Sequence, residues 1–424
     1  MRTIHESRKR FSMQRRTCLN WLAGTSIMAL GPHAFAAASA DTAPAPLGNK
    51  KLIVVMLRGA VDGLNVVAPV GDAHYASLRP GIGLARAGQS GGALGLDDYF
   101  GLHPALADLM PWWQQKKLAF VHAAGSPDTT RSHFDAQDFM ESGTPGIKST
   151  PDGWMNRLLA QLPGPTSPTR ALSIGPVMPR ILSGSSPSST MAAGAAGSRA
   201  TLLDRPAIGS AFEQLYKTDA KLGKAFQEGQ TAHQDVMNAA NNPGPEMQAD
   251  FGAALPNGFP DDAARLARLL RNEPRIQMAF IALGGWDTHA NQGAAQGQLA
   301  NRLAPLGQGL AVLAQKLGPM LNDCVIVVMS EFGRTARQNG TGGTDHGHGN
   351  VMWLLGGGVA GGKIHGAWPG LGPGQLYEGR DLAVTTDFRQ VLAQVAGRHM
   401  GLAQEQVQRV FPQLPAGGAL RLFA

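Results

Sequence analysis

Carboxylates, imidazoles and a hydroxyl recur in this sequence just beyond long apolar runs, a placement that suits metal or acid–base chemistry. The fullest case is the run Val325–Ser330, followed by Glu331, Gly333 and Arg334 and then by Gly343-Thr344-Asp345-His346-Gly347-His348-Gly349-Asn350. Asp345, His346 and His348 lie within four residues of one another, and the glycines between them let the backbone turn tightly enough for several ligand atoms to meet. Carboxylate oxygens together with imidazole nitrogens suit zinc, manganese or iron. Asp287 and His289 form a second pair, two apart, so that in an extended segment they share one face and can ligate one ion. Asp62 stands between glycines after a third apolar run; by itself it reads as a turn or capping residue. Ser132 opens an amphipathic stretch (Phe134, Ala136, Phe139, Met140), where a Ser is first an N-cap. The same helix start can bind an anion, with Ser132 or Thr130 as nucleophile and Arg131 or His133 as partner.

These residues need elements to hold them. Four apolar runs read as strands buried on both faces: Leu52–Leu57, Leu118–Ala123, Ile276–Leu283 and Val325–Ser330. Each ends in Asp, Glu, His or Ser, and in open α/β sheets ligands bind beyond the C-terminal strand ends. The run at 325–330 is expected to be a central strand of a parallel sheet. Ala171–Ile174 and Trp353–Val359 read as further strands. Helices are expected at about 104–113, from Ser132, and at 262–272, 298–319 and 386–396. In the helix at 262–272 the arginines 265, 268 and 271, with Arg275 beyond, read as a solvated face. Helical spacing at 208–240 (Phe212, Leu215, Tyr216, Leu222, Phe226) suggests a helical cap inserted at about 180–260. The Gly356-Gly357-Gly358 turn lacks the Lys-Ser/Thr of a phosphate loop.

The first forty residues read as an address. Arg15-Arg16 precede an apolar stretch from Trp21 to Leu30, and Ala38-Ser39-Ala40 offers a small-residue cleavage site, as in a twin-arginine export signal. The stretch is too short and interrupted to span a bilayer, and no later segment reaches that length. Residues 41–50 read as a linker, leaving 51–424 as one α/β domain. The leader holds six Lys/Arg and one Glu of a chain whose net charge is +7, so the remainder carries 31 basic and 29 acidic residues, a net of +2. A high pI that resides in the leader does not support nucleic-acid binding. Removing the leader takes Cys18 and leaves Cys324, so no internal disulfide is expected.

The order Leu57-Arg58-Gly59 with Asp62-Gly63-Leu64-Asn65, Ser132-His133-Phe134, Asp152-Gly153-Trp154, Gly285-Trp286-Asp287-Thr288-His289, Ser330-Glu331-Phe332-Gly333-Arg334-Thr335 and Gly343–Asn350 resembles the exported bacterial family labelled domain of unknown function 1501. The match runs over nearly all of the chain after the leader. That family is placed in the alkaline phosphatase and sulfatase superfamily, which implies a doubly wound, mainly parallel sheet with helices on both faces and metal ligands at its C-terminal edge. Carried over, Asp62 matches the first-strand metal carboxylate, and a nucleophile belongs at Ser132 or Thr130. Asp287 and His289 match the ligand pair of one metal, with one residue between them where the superfamily has three. Glu331 stands where the superfamily has Asp-His, with Phe332 in place of that His. His346 or His348 matches the late histidine, beside Asp345.

The resemblance implies an exported hydrolase of phosphate or sulfate esters, acting on a small-molecule or polysaccharide ester. It would use one or two divalent ions: zinc, or manganese, calcium or magnesium. The expected ligands are Asp62, Asp287, His289, Glu331, Asp345, His346 and His348. Ser132 would attack, Arg131 or Arg334 would stabilise the developing anion, and His133 or His346 would act as general acid. The alternative is a non-catalytic, metal-stabilised envelope protein that binds polysaccharide or assists assembly. A metal-free Ser132–His346–Asp345 hydrolase would need a nucleophile elbow, and G-x-S-x-G is absent. The twin-arginine translocase would be the partner during export.

Overall fold

The computed structural model describes residues 48–194, 253–415 and 420–423. The expected export signal, most of the linker and the helical spacing at 208–240 lie outside these residues.

The fold is an α/β sandwich built on a nine-stranded, mainly parallel sheet, as expected from the apolar runs. Its strands are β1 (Lys51–Leu57), β5 (Leu118–Gly125), β6 (Ala171–Ile174), β7 (Ser189–Met191), β8 (Met278–Leu283), β9 (Cys324–Ser330), β10 (Asn350–Gly356), β11 (Lys363–His365) and β12 (Thr386–Asp387). A small separate antiparallel sheet holds β2 (Val67–Ala68), β3 (Leu94–Gly95) and β4 (Gly101–Leu102). The main order is β11-β5-β10-β9-β1-β8-β6-β7, with β12 beside β5. β1 is central, pairing in parallel with β8 on one side and β9 on the other.

Two sequence expectations about strands change. The run near 353–359 forms its strand earlier, at Asn350–Gly356, and runs antiparallel to both neighbours, β9 and β5. β9 is therefore central, but only its β1 side is parallel. The reversal has a consequence for function. The loop after β9 need not cross the sheet, and it returns to β10 at the same edge, holding Glu331–Gly349 over the C-terminal ends of β1, β5, β8 and β9.

Successive residues of a strand point to opposite faces, and β1 divides cleanly between two cores. Ile53, Val55 and Leu57 join the core beneath the helices Phe259–Asn272 and Gln298–Leu317. Leu52, Val54 and Met56 face the helices Trp154–Gln161, Phe388–Gln394 and Gln404–Val410. Apolar side chains on both faces explain why these strands read as continuous apolar runs.

Several helix boundaries shift. Residues 104–109 form a 3₁₀ segment followed by the short helix Met110–Gln114. Thr386 and Asp387 belong to β12, and the helix after them runs from Phe388 and closes in a π turn at Val395–His399. Arg265 does not lie on a solvated face: it is buried and ion-paired to Asp262 one turn earlier. Among the described residues no helix is long and apolar enough to cross a membrane.

Candidate metal centre

Five chain segments meet at the C-terminal edge of the sheet, and two glycines set how closely. Gly59, just past β1, has φ +112, and a Cβ there would stand 2.8 Å from the Asp287 amide nitrogen. Gly347 packs so that a Cβ would come within 2.4 Å of the Arg334 carbonyl carbon. A short antiparallel stitch follows from this approach: Gly347 N–H donates to Gly333 O (2.8 Å), Gly333 N–H to His348 O (2.9 Å) and Thr335 N–H to Asp345 O (3.0 Å). The stitch fixes the histidine loop against the end of β9.

His133, Asp287 and His346 converge so closely that one ligand atom from each lies within 4.8 Å of the others. His133 Nε2 is 3.0 Å from His346 Nε2 and 3.7 Å from Asp287 Oδ2. His346 Nε2 is 3.4 Å from Asp287 Oδ1. His289 approaches the same point, its Nε2 standing 3.1 Å from His346 Nε2 and 3.1 Å from Asp287 Oδ1. Ligand atoms about 2.0–2.1 Å from a tetrahedral zinc lie about 3.3 Å apart, within the range of these separations.

The opposite nitrogens decide what those Nε2 atoms are. His133 Nδ1 meets Glu331 Oε1 at 2.8 Å, His289 Nδ1 meets Asp345 Oδ1 at 3.1 Å, and His346 Nδ1 meets the Arg131 carbonyl at 2.8 Å. All three partners only accept, so each Nδ1 carries a proton, which leaves each Nε2 as the nitrogen that can give a lone pair to an ion at the shared point. Three imidazole nitrogens and a carboxylate facing one point need positive charge, a proton or a metal ion, among them. This set of donors fits a divalent transition metal, and hydrogen-bonded outer partners of this kind orient metal-binding histidines.

Electrostatics agrees. Burial alone would raise the Asp287 carboxyl, but hydrogen bonds with His133 and His346 and the charge of Arg334 hold it well below the usual carboxylate range. Burial alone would lower His133, yet the hydrogen bonds to Asp287 and Glu331 outweigh it and raise the ring to about 9. Positive charge is thus favoured at this point. Glu331 is fully buried and its pKa is lowered, because hydrogen bonding from His133 and then the charge of that ring outweigh its burial. Gly59 N–H, Gln137 Nε2 and Ser330 Oγ also donate to its oxygens.

The structure separates the residues singled out in the sequence into groups. Asp287, His289 and His346 come together, joined by His133, which the sequence offered as a general acid. Glu331 and Asp345, expected as ligands, each hold a histidine from behind. Asp62 is bound to Arg79 at 2.5 Å, with both side chains buried. His348 turns aside: its ring is buried 4.9 Å from that of Tyr377, and burial lowers its pKa. Arg334 is buried and donates to Asp287 Oδ1 (2.5 Å) and to the carbonyls of Gly59, Ala60, Trp286 and Thr344. Arg131 is ion-paired to Asp381 and Glu378. Ser132 is exposed and caps the helix His133–Ser142, accepting from Asp135 N–H. Thr130 Oγ1 accepts from Ser132 N–H.

Asn339 was not singled out from the sequence, and Phe332 was named there only as standing in place of a histidine. The Phe332 ring lies 4.9 Å from that of His133 and 5.2 Å from that of His346, forming an apolar wall behind both. Asn339 donates to Asp345 Oδ1 and to the His289 carbonyl, tying the outer histidine to its carboxylate.

Solved structures similar to this chain include a protein in the alkaline phosphatase superfamily from Vibrio parahaemolyticus, with 12% identity over 75% of this chain and 63% of that one and a TM-score of 0.39. The chain thus spans less than two thirds of that protein's length. The PsFucS1 sulfatase from Pseudoalteromonas sp. matches with 11% identity over 84% of this chain and 68% of that one, TM-score 0.39. The zinc complex of the C-terminal periplasmic domain of EcEptC from Escherichia coli matches with 10% identity over 74% and 77%, TM-score 0.35. Likenesses this distant say nothing about activity. No curated protein matches the chain. The family described as Protein of unknown function (DUF1501) matches residues 49–411, and the chain belongs to that family.

Proposed function

We propose that the chain is an exported, metal-dependent hydrolase of phosphate or sulfate esters, with His133, Asp287, His289 and His346 holding the ion. The observation that carries this reading is the inward convergence of three imidazole nitrogens and one carboxylate, each fixed from behind by a hydrogen-bond partner. A divalent ion held there supplies Lewis acidity toward an ester oxygen and lowers the pKa of a nearby hydroxyl. Zinc suits these donors best; manganese, which tolerates more oxygen ligands, is the next candidate.

Ser132 is the proposed nucleophile. It stands between Arg131, whose carbonyl accepts from His346, and His133, whose Nε2 enters the cluster. Its hydroxyl is exposed at the start of a ten-residue helix, where backbone N–H groups favour a negatively charged ester. The Phe332 ring packs beside those of His133 and His346. Export by the twin-arginine translocase and a small-molecule or polysaccharide ester substrate belong to the same proposal.

The test is turnover of aryl phosphate and aryl sulfate esters by zinc- or manganese-loaded protein, beside Ser132→Ala. The variant should lose turnover while keeping its metal, at a stability cost of about 1 kcal/mol for the lost cap. One observation favours the second reading, a metal-stabilised envelope protein without turnover: both arginines expected to meet the anion are already engaged by carboxylates. A metal-loaded chain that hydrolyses none of these esters, but binds envelope polysaccharide, would establish that reading instead.

A further inference from the structure

We propose that the centre is mononuclear, because the Arg79 guanidinium supplies to Asp62 the positive charge that a second ion would otherwise bring. The inference rests on the ligand set proposed above and concerns Asp62, a sequence-matched metal carboxylate outside it that holds no ligand histidine. Asp62 follows β1 at the same sheet edge and is fully buried, as is Arg79 apart from 1% of its surface. Arg79 Nη1 donates to Asp62 Oδ2 (2.5 Å) and Asn65 Oδ1 (2.9 Å), Nε to the Ala336 carbonyl (2.9 Å) and Nη2 to the Thr335 carbonyl (2.8 Å). A guanidinium with partners at all three nitrogens is locked in place, and the charge of Asp62 is already matched.

Gln292 extends the network to the ligand loops. Its Nε2 donates to Asp62 Oδ2 at 2.7 Å. Its Oε1 accepts from Thr288 (2.8 Å), which lies between Asp287 and His289, and from Thr344 (3.0 Å), two residues before His346. Asp62 thus acts on the centre through Gln292, by holding two ligand loops in register. Its second oxygen, Oδ1, is buried and accepts no hydrogen bond. A second ion would have to bind there. Among the described residues, however, the one group of three or more potential ligands that converges is His133, Asp287 and His346.

The deciding experiment is the zinc stoichiometry of the full mature chain, by equilibrium dialysis and elemental analysis, beside Asp62→Asn. Saturation at one zinc per chain is expected in both proteins, with affinity in the variant lowered less than the about 10–100-fold that follows loss of a direct partner of a metal ligand. Since Asp62→Asn leaves Arg79 buried without its counter-charge, the double variant Asp62→Leu/Arg79→Met, which replaces the pair by apolar side chains, serves as a second test. It too should bind one zinc. Two zinc ions in the wild type, falling to one in Asp62→Asn, would overturn the proposal and leave the hydrolase reading intact. A folded wild type that binds no zinc would instead remove the ligand set itself, and this inference with it.

Discussion

Two histidines at the centre are built on the same plan in opposite surroundings. His133 is held by Glu331, its side chain 13% exposed and the carboxylate fully buried. His289 is held by Asp345, and the side chains are 46% and 55% exposed. The inner carboxylate accepts from Gly59, Gln137 and Ser330 besides His133, whereas the outer one is tied by Asn339. A buried, fully hydrogen-bonded carboxylate fixes a ring firmly, while an exposed pair is screened by water and is worth about 0–1 kcal/mol. For the proposed ion, the inner arm is therefore the one expected to set the affinity. The outer arm lies on the more exposed side of the cluster.

That asymmetry can be broken one residue at a time. His133→Ala should have the largest effect, abolishing measurable zinc binding in competition with a chelator while the protein remains folded. Acidity comes next. Without metal the His133 ring titrates near 9, above the ordinary 6.5. The metal-free fold therefore gains stability from that proton below about 6.5 and loses it as pH rises through 9. An ion must displace the proton, so zinc affinity should rise between pH 7 and 9 by up to about tenfold per unit, as read by calorimetry. Glu331→Gln should weaken zinc binding about 10–100-fold. Asp345→Asn should weaken it less than about fivefold, in keeping with an exposed pair. If Asp345→Asn proves as costly as Glu331→Gln, the contrast between the arms fails.

Much of the fold was legible because the central strands are buried on both faces. β1, β5, β8 and β9 are apolar along nearly their whole length, with His122 the one polar residue inside a run, and a run of that kind at strand length has few other readings. The direction of β10 was not legible. Its composition is that of the parallel strands of the sheet, and orientation depends on the loop that delivers it. The site divided along similar lines. Asp287, His289 and His346 stand at strand ends or in Gly-rich loops, where spacing is informative. His133 sits in the first turn of a helix, and its part depends on meeting residues 154 and 213 positions away, which no local pattern encodes. Asp62 is hard to read for a related reason: the motif around it is local, but its partner Arg79 lies in a loop 17 residues on. Arg265 reads as one of a row of exposed charges until Asp262, one turn back, buries it as a pair.

X-ray absorption on the zinc-loaded chain tests the central claim most directly. The account predicts a shell of three imidazoles and one carboxylate oxygen at about 2.0–2.1 Å, with one imidazole lost in His133→Ala. A shell dominated by oxygen, an imidazole count unchanged in that variant, or a folded chain that takes up no ion on reconstitution would contradict it.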